Sequence, residues 1–200
     1  MSRSRQKFSL RRRRVVADIL RQRGDALVVT GLGSPSYDVA AAGDHPHNFY
    51  MWGGMGGAAM IGLGVAQGQP DRRVLVITGD GEMLMGLGSI ATIGVQQPEN
   101  LAIVVLDDEH YAETGMQETH TAHGFDLEAV AKAAQFKATA TIHTMEQVAE
   151  WTKRLYEEPG PLFLTIKINA EEVKRFIPLR DAVQIKNRFR AALFGDKIFE

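Results

Sequence analysis

Cysteine is absent from the 200 residues, and this absence excludes both a disulfide framework and a thiolate metal site. It fits a reducing compartment, and we expect a cytoplasmic protein. An excess of charge of one sign is also missing. The formal net charge is -1, which argues against nucleic acid as the main partner. What remains is an apolar fraction of 44% in a chain long enough for one domain with a full hydrophobic core.

Long hydrophobic runs are scarce as well. The longest uncharged stretch, residues 48–70, reads NFYMWGGMGGAAMIGLGVAQGQP, with clustered glycine and with Asn48 and Gln67 on either side of its apolar part. A membrane-spanning helix needs about 20 mostly apolar residues. We therefore interpret the stretch as a glycine-rich loop that leads into a buried helix, and we expect no membrane partner.

Continuous apolar runs alternate with segments of helical periodicity along most of the chain. The predicted strands are 26–31, 73–78, 101–106, 137–142 and 161–168. The predicted helices are 11–23, 34–43, 56–67, 83–96, 126–135 and 145–158. This order predicts an α/β fold, a doubly wound and mostly parallel sheet with helices on both faces. We divide the chain into an N-terminal basic helix or extension (1–23), a central domain (24–170) and a C-terminal arm (171–200).

Two of the predicted strands end abruptly in acidic residues. Gly79-Asp80-Gly81 follows the first, and Asp107-Asp108-Glu109 follows the second. Ligands of open parallel sheets bind at the carboxyl ends of the strands, so Asp80 and Asp108 can converge there. Paired hard oxygen ligands suit Mg²⁺, which commonly bridges to phosphates. For either aspartate alone, a role as an ordinary turn residue or helix cap is the simpler alternative.

The two motifs together resemble the diphosphate-binding motif of thiamine diphosphate (ThDP) enzymes. That motif opens with Gly-Asp-Gly and closes, just under thirty residues later, with a pair of Asn after a buried strand. The stretch FYMWGGMGGAAMIGLGVAQ is similar to the loop that precedes this motif in decarboxylases and carboligases. The resemblance covers about residues 24–170 and implies a diphosphate-binding (PP) domain.

The resemblance implies a role for each matching residue. Asp80 and Asp108 would bind Mg²⁺ through their carboxylates, and His110 would bind it through its backbone carbonyl. Met55 would support the bent conformation of the cofactor, and the carbonyl of Gly53 would accept a hydrogen bond from the aminopyrimidine. The remaining cofactor-binding residues that we expect are Gly54, Gly79, Gly81, Glu82 and Tyr111.

Two residues depart from the family pattern. Asp108 stands where the family has its second Asn, which adds negative charge beside Asp80 and a diphosphate. Glu82 follows Gly-Asp-Gly where many relatives have a small hydroxyl side chain, and it would repel a diphosphate unless it turned away.

The chain has the length of one domain, whereas ThDP enzymes of this kind need a second, pyrimidine-binding (PYR) domain that carries a catalytic Glu. The resemblance therefore implies a heteromer with a PYR-domain alpha subunit, together with self-association. Among these enzymes, the sequence most resembles the sulfopyruvate and phosphonopyruvate decarboxylases. The function implied is that of the diphosphate-binding subunit of a decarboxylase acting on a small 2-oxoacid. A carboligase subunit and a non-catalytic regulatory subunit remain alternatives.

Histidines are the local candidates for proton transfer. His45 and His47 precede the glycine-rich loop, and His120 and His123 follow the second acidic turn. We select His47, His120 and His123 as candidate catalytic residues. The alternative for each is an ordinary loop histidine.

Basic residues are missing from the region that should bind an acidic substrate, because no Arg or Lys lies between Arg73 and Lys132. The arm after residue 170 alternates apolar and basic residues. It either packs as a terminal helix on its own sheet or reaches the partner subunit and brings a basic side chain to the substrate. We interpret the run of four arginines at 11–14 as a solvated helix face or a partner contact.

Overall fold

The computed structural model describes residues 7–195 and 197 of the chain. Within these residues the strands are β1 (Leu27–Thr30), β2 (Asn48–Tyr50), β3 (Val74–Gly79), β4 (Leu101–Asp107), β5 (His110–Tyr111), β6 (Gln117–Glu118), β7 (Ala138–Ile142) and β8 (Leu162–Lys167). The α-helices are α1 (Arg12–Leu20), α2 (Ser34–Ala41), α3 (Ala58–Gly68), α4 (Asp80–Met85), α5 (Gly88–Gln96), α6 (Leu127–Ala133), α7 (Met145–Glu157) and α8 (Ala182–Phe194). A short 3₁₀ helix covers His120–His123.

The main sheet has six parallel strands in the order β2-β1-β3-β4-β8-β7. Apolar residues pack on both of its faces, with α1 and α7 in one core and α3, α5 and α6 in the other. The α/β fold with helices on both faces is therefore confirmed. Because β3 and β4 are neighbours, with Gly79 paired to Leu106, the acidic turns after them leave the sheet side by side.

Two local features differ from the expectation. The segment 83–96 is not one helix, because α4 ends at Met85 and α5 begins at Gly88. At the break a Cβ on Gly86 would lie 2.1 Å from the carbonyl oxygen of Gly56, so the glycine-rich loop docks directly on this backbone. The short edge strand β2 also lies inside a stretch that we had interpreted as loop.

The two ends of the chain pack against the central sheet. In α1 the side chains of Val15, Val16 and Ile19 are fully buried. In α8 Ile185 and Phe189 are buried, one in each of the two cores. The C-terminal helix thus covers the edge strand β2, a position where an open sheet edge would otherwise invite association.

Specific contacts attach α8 and the segment before it. The ring of Phe189 lies edge-on to that of Phe49, with 5.5 Å between centroids. Arg188 Nη1 lies 2.6 Å from Asp44 Oδ2, and Trp52 Nε1 donates to the carbonyl of Leu179 at 3.0 Å. Ile185 and Phe189 therefore follow the terminal-helix alternative, in which the arm packs on its own sheet.

Replacing Phe189 by Ala should lower the free energy of unfolding by about 3 kcal/mol, since a buried aromatic side chain is lost and a cavity remains. Phe194 on the same helix is 46% exposed. The matched variant Phe194→Ala should change stability by less than about 0.5 kcal/mol. Urea unfolding of both variants measures the difference, and equal effects would contradict the packing of α8 on the sheet.

None of the helices within residues 7–195 and 197 is long and apolar enough to cross a membrane.

Candidate functional site

A pocket opens at the carboxyl edge of the sheet, where β1, β3 and β4 end. It is lined by the turn after β1, by the start of α4 and by the segment after β4. Its functionally relevant lining residues are Arg12, Ser34, Met55, Gly79, Asp80, Gly81, Glu82, Asp108, His110 and Tyr111. The fold therefore brings most of the expected cofactor and metal residues into one pocket.

Asp80 is the first residue of α4 and is 2% exposed. Its Oδ2 accepts hydrogen bonds from Thr119 Oγ1 at 2.5 Å and from Thr121 Oγ1 at 3.2 Å. These hydroxyls come from the segment that includes the 3₁₀ helix, and they orient the carboxylate. Sequence reasoning missed both threonines, because only the tertiary fold brings residues about forty positions away to Asp80.

The adjacent acids Asp107 and Asp108 have different environments. The carboxylate of Asp107 accepts from Thr121 Oγ1 at 2.8 Å and forms an ion pair with Lys167 Nζ at 2.7 Å. Asp108 faces the pocket, and its Oδ1 accepts from the backbone N–H of His110 at 3.0 Å. Asp107 is therefore a structural residue, and Asp108 is the second pocket carboxylate.

A lysine pair balances the acids that face away from the pocket. Glu109 forms ion pairs with Lys7 and with Lys167, the latter at 3.1 Å. Burial opposes ionisation of Glu109, but hydrogen bonds from Lys7 and Lys167 outweigh it and lower the pKa of the carboxyl. Neither lysine lines the Asp80 pocket among the described residues.

The two pocket carboxylates are costly to ionise without a cation. Burial, reinforced by the charges of Asp107 and Asp108, raises the pKa of Asp80 to about 7. Burial also raises the pKa of Asp108, although its hydrogen bond from His110 opposes the shift. A bound divalent cation would relieve this repulsion.

The donor set fits Mg²⁺ on chemical grounds. Two carboxylates offer hard oxygen ligands, and Mg²⁺ is commonly held by one or two carboxylates with water and phosphate oxygens completing its octahedron. Within the described part of the chain, no group of three or more His, Cys, Asp and Glu side chains could hold a metal. A cation at this pocket would therefore need the two carboxylates, backbone oxygen and oxygens of the ligand itself.

The glycine-rich loop brings Met55 to the pocket. Gly56 has φ +92°, which favours glycine, and its backbone lies against Gly86. Gly53 and Gly54 are exposed on the same loop and are not among the pocket-lining residues. Their expected cofactor contacts remain predictions.

Glu82 holds the glycine-rich loop through its carboxylate. Its Oε1 accepts from the backbone N–H groups of Gly56 at 2.9 Å and Ala58 at 3.1 Å, and its Oε2 accepts from Thr78. The carboxylate thus anchors the first turn of α3. Glu82 also lines the pocket, and its expected contact with the diphosphate stays a prediction.

Gly81 allows a close contact with Tyr111. A Cβ at position 81 would lie 2.5 Å from Cε1 of the tyrosine ring, so a larger residue would displace the ring. Tyr111 belongs to β5, which pairs with β6 in a small hairpin after the acidic turn. The absence of a side chain at Gly81 therefore determines where the ring lies in the pocket.

The three candidate catalytic histidines do not line this pocket. His47 directly precedes β2 and lies at the amino edge of the parallel sheet, opposite the pocket, where Arg72 Nη2 is 3.1 Å from its Nδ1. Burial and the charge of Arg72 lower the pKa of His47. His120 and His123 line a separate exposed depression, where His123 Nε2 lies 3.1 Å from Glu118 Oε2. None of these three histidines lines the Asp80 pocket, and their selection as catalytic residues stays a prediction.

Metal affinity should rise with pH, because a proton must leave Asp80 before a cation binds. The pKa of this carboxyl lies above its ordinary value of 3.8, so the metal-free chain should lose stability as pH rises toward about 7. Asp108→Asn removes one of the charges that raise the pKa of Asp80. The rise in metal affinity and the loss of stability should therefore both occur at lower pH in this variant. Titrations with Mg²⁺ and thermal unfolding across about pH 5 to 8 measure them. Transitions that do not move would contradict the coupling of the two carboxylates.

Comparison with known proteins places the fold in a class, the α/β domains of thiamine pyrophosphate enzymes. Residues 32–166 match the family described as thiamine pyrophosphate enzyme, C-terminal TPP binding domain. The chain belongs to this family of thiamine pyrophosphate (that is, ThDP) enzymes, which confirms the resemblance.

Individual relatives support the same assignment. The chain is 46% identical over 165 residues to sulfopyruvate decarboxylase subunit beta of Methanothermobacter thermautotrophicus, covering 82% of this chain and 85% of the relative. It is 35% identical over 179 residues to phosphonopyruvate decarboxylase of Streptomyces viridochromogenes, covering 89% of this chain and 44% of the relative. The crystal structure of benzoylformate decarboxylase from Polynucleobacter necessarius superposes with a TM-score of 0.66 at 19% identity, covering 88% of this chain and 36% of that one.

Proposed function

We propose that the chain is the diphosphate-binding subunit of a two-subunit, ThDP- and Mg²⁺-dependent decarboxylase of 2-oxoacids. The observation that carries the proposal is the convergence of Asp80 and Asp108 in one pocket of a ThDP-family domain. The names of the relatives, sulfopyruvate decarboxylase subunit beta and phosphonopyruvate decarboxylase, support the reaction type. Sulfopyruvate and phosphonopyruvate define the substrate class, a 2-oxoacid with a second acidic group.

The residues of this chain would bind and orient the cofactor. Asp80 and Asp108 would hold Mg²⁺ through carboxylate oxygens, with the carbonyl of His110 as a third protein ligand. Thr119 and Thr121 keep Asp80 in place, and Glu82 keeps the loop that presents Met55. Bound ThDP supplies the electron sink that decarboxylation of a 2-oxoacid requires.

The lengths of the relatives support a split architecture. The chain covers 85% of a relative that is itself named a subunit but only 44% of the phosphonopyruvate decarboxylase. More than half of the phosphonopyruvate decarboxylase therefore lies outside the match, which is enough for a second domain. In the proposed heteromer, an alpha subunit with a PYR domain supplies that part, including the catalytic Glu.

An uncharged face of α3, α4 and α5 suits this partner. It follows the loop that carries Met55, and it exposes Met60, Met85 and Val95 to 41%, 64% and 81%. Large exposed apolar residues on helices that contact each other suit an interaction surface. Gln67 Nε2 donates to Gln96 Oε1 at 3.0 Å and joins α3 to α5.

Carbon dioxide release by the reconstituted heteromer tests the proposed reaction. The chain is mixed with a PYR-domain subunit encoded beside it, ThDP and Mg²⁺, and the complex is assayed with sulfopyruvate, phosphonopyruvate and pyruvate. We expect carbon dioxide from an acid with a second acidic group, and none when ThDP is omitted. A heteromer that binds ThDP but decarboxylates none of these acids would contradict the proposed reaction while leaving the cofactor site intact.

A further inference from the structure

One arginine of the basic N-terminal helix lies inside the cofactor pocket. Arg12 is 5% exposed and lines the pocket with Asp80, Asp108 and Ser34. The neighbouring arginine Arg14 is on the solvent side, with 71% of its side chain exposed. The run of four arginines is therefore not uniformly a solvated helix face.

The guanidinium of Arg12 has unused hydrogen-bonding capacity. Its Nη1 lies 3.1 Å from Asp38 Oδ2, yet both atoms are buried without a hydrogen-bond partner. Asp38 Oδ1 is already occupied by Arg13 Nε, also at 3.1 Å. The ion pair with Asp38 is the contact of the Arg12 guanidinium within residues 7–195 and 197, and it engages only part of the five N–H donors that a guanidinium carries. A ligand in the pocket would provide acceptors for the others.

The charge balance of the pocket points to an anion. The carboxylates of Asp80 and Asp108 face a site where a diphosphate would add further negative charge, and Glu82 and Glu113 also line the pocket. A single Mg²⁺ would compensate only part of the combined negative charge of the carboxylates and the diphosphate. Arg12 is the one Arg or Lys side chain among the described residues lining the pocket, and its charge, after that of His110, acts on Asp108 in the sense that favours ionisation. Asp38, itself fully buried, holds the guanidinium at this place.

We infer that Arg12 is a diphosphate-binding residue, which donates from the N-terminal helix to the phosphate oxygens of the cofactor beside Asp80 and Asp108. The inference rests on the cofactor site of the proposed function and adds a residue from outside the diphosphate motif. Diphosphate is favoured over the acidic group of a substrate, because Arg12 shares its pocket with the two proposed metal ligands. A guanidinium matches phosphate geometry better than an ammonium does, which makes the identity of the residue significant.

Calorimetric titration of the full chain with inorganic diphosphate and Mg²⁺ tests the inference without requiring turnover. Arg12→Met should weaken diphosphate binding about 10-fold or more, since a charge-assisted hydrogen bond is lost. Arg12→Lys should recover part of the loss. The control Arg14→Gln should bind as the wild type does. The double variant Arg12→Met/Asp38→Asn removes the buried charge left on Asp38 and should remain folded while still binding weakly.

The outcomes separate this inference from the proposed site. If Asp80→Asn abolishes diphosphate binding and Arg12→Met leaves it unchanged, Arg12 is not a diphosphate ligand and only the inference fails. The same holds if Arg12→Met raises KM for the 2-oxoacid alone, because Arg12 would then bind the substrate. If neither variant affects binding, or if the wild-type chain binds no diphosphate, the assignment of the pocket fails as well.

Discussion

Asp80→Ala should lower the affinity for ThDP, measured in the presence of Mg²⁺, by about 100-fold or more. Asp80 is the first residue of α4 and lies in the pocket with Asp108, so its removal would leave a bound cation with a single side-chain ligand. Without the cation, the diphosphate would face Asp108 with no compensating metal charge. Calorimetric titration of the reconstituted complex with ThDP measures the loss.

Stability distinguishes lost binding from misfolding in this variant. The pKa of Asp80 is raised to about 7, chiefly by burial, so its ionised form destabilises the metal-free chain above neutral pH. Asp80→Ala should therefore unfold at a higher temperature than the wild type at about pH 8 while it fails to bind ThDP.

Asp126 offers a matched control, because it also starts a helix and accepts from the backbone N–H of Ala129 at 3.0 Å. Asp126→Ala should cost about 1 kcal/mol of stability and leave ThDP affinity unchanged. Wild-type affinity in Asp80→Ala, or an equal loss in both variants, would contradict the role of Asp80.

The isolated chain should show no decarboxylation of any 2-oxoacid, although we expect it to fold and to self-associate. The pocket residues contributed by this chain bind and orient, and the histidines that sequence reasoning had selected for proton transfer lie elsewhere. In the proposed heteromer the partner would be required for turnover, because it would supply the pyrimidine site and the catalytic Glu. Addition of the partner should raise the rate from background by several orders of magnitude, a gain within the range of enzymatic rate enhancements.

The same assay tests the proposed partner surface. Val95→Glu places a charge on the exposed face of α5 and should reduce both heteromer formation and turnover. Val183, which is 61% exposed on α8 away from this face, provides the control Val183→Glu. Turnover by the isolated chain would contradict the split site, and equal effects of the two substitutions would contradict the partner surface.

The central strands of the sheet were predictable because they are almost entirely apolar. Every residue of Leu101–Asp107 is buried, and a strand buried on both faces shows no alternation that could be confused with a half-exposed one. Asp80 and Asp108 each follow a predicted parallel strand, and this order placed both residues at the carboxyl edge of the sheet. Family resemblance was needed to identify the ligand, because an acid after a strand is commonly only a turn residue.

The features that were missed depend on contacts distant in sequence. The break between α4 and α5 arises where Gly86 meets Gly56, and periodicity within one segment carries no information about that contact. Phe189 and Phe194 are both phenylalanines in the same alternation of apolar and basic residues, so the sequence does not distinguish them. The position of β2 decides that Phe189 is buried and Phe194 is exposed. Arg12 belongs to a run of identical residues, so the pattern could not single out the one that enters the pocket.

A crystal structure of the reconstituted complex with ThDP and Mn²⁺ in place of Mg²⁺ tests the central claim most directly. Anomalous scattering locates the manganese independently of any assumption about its ligands. We predict one manganese bound to carboxylate oxygens of Asp80 and Asp108 and to the carbonyl oxygen of His110, with the diphosphate bridging it in the same pocket. Manganese elsewhere on the chain, or a diphosphate bound away from the carboxyl ends of β3 and β4, would contradict the assignment of this chain as the cofactor-binding subunit.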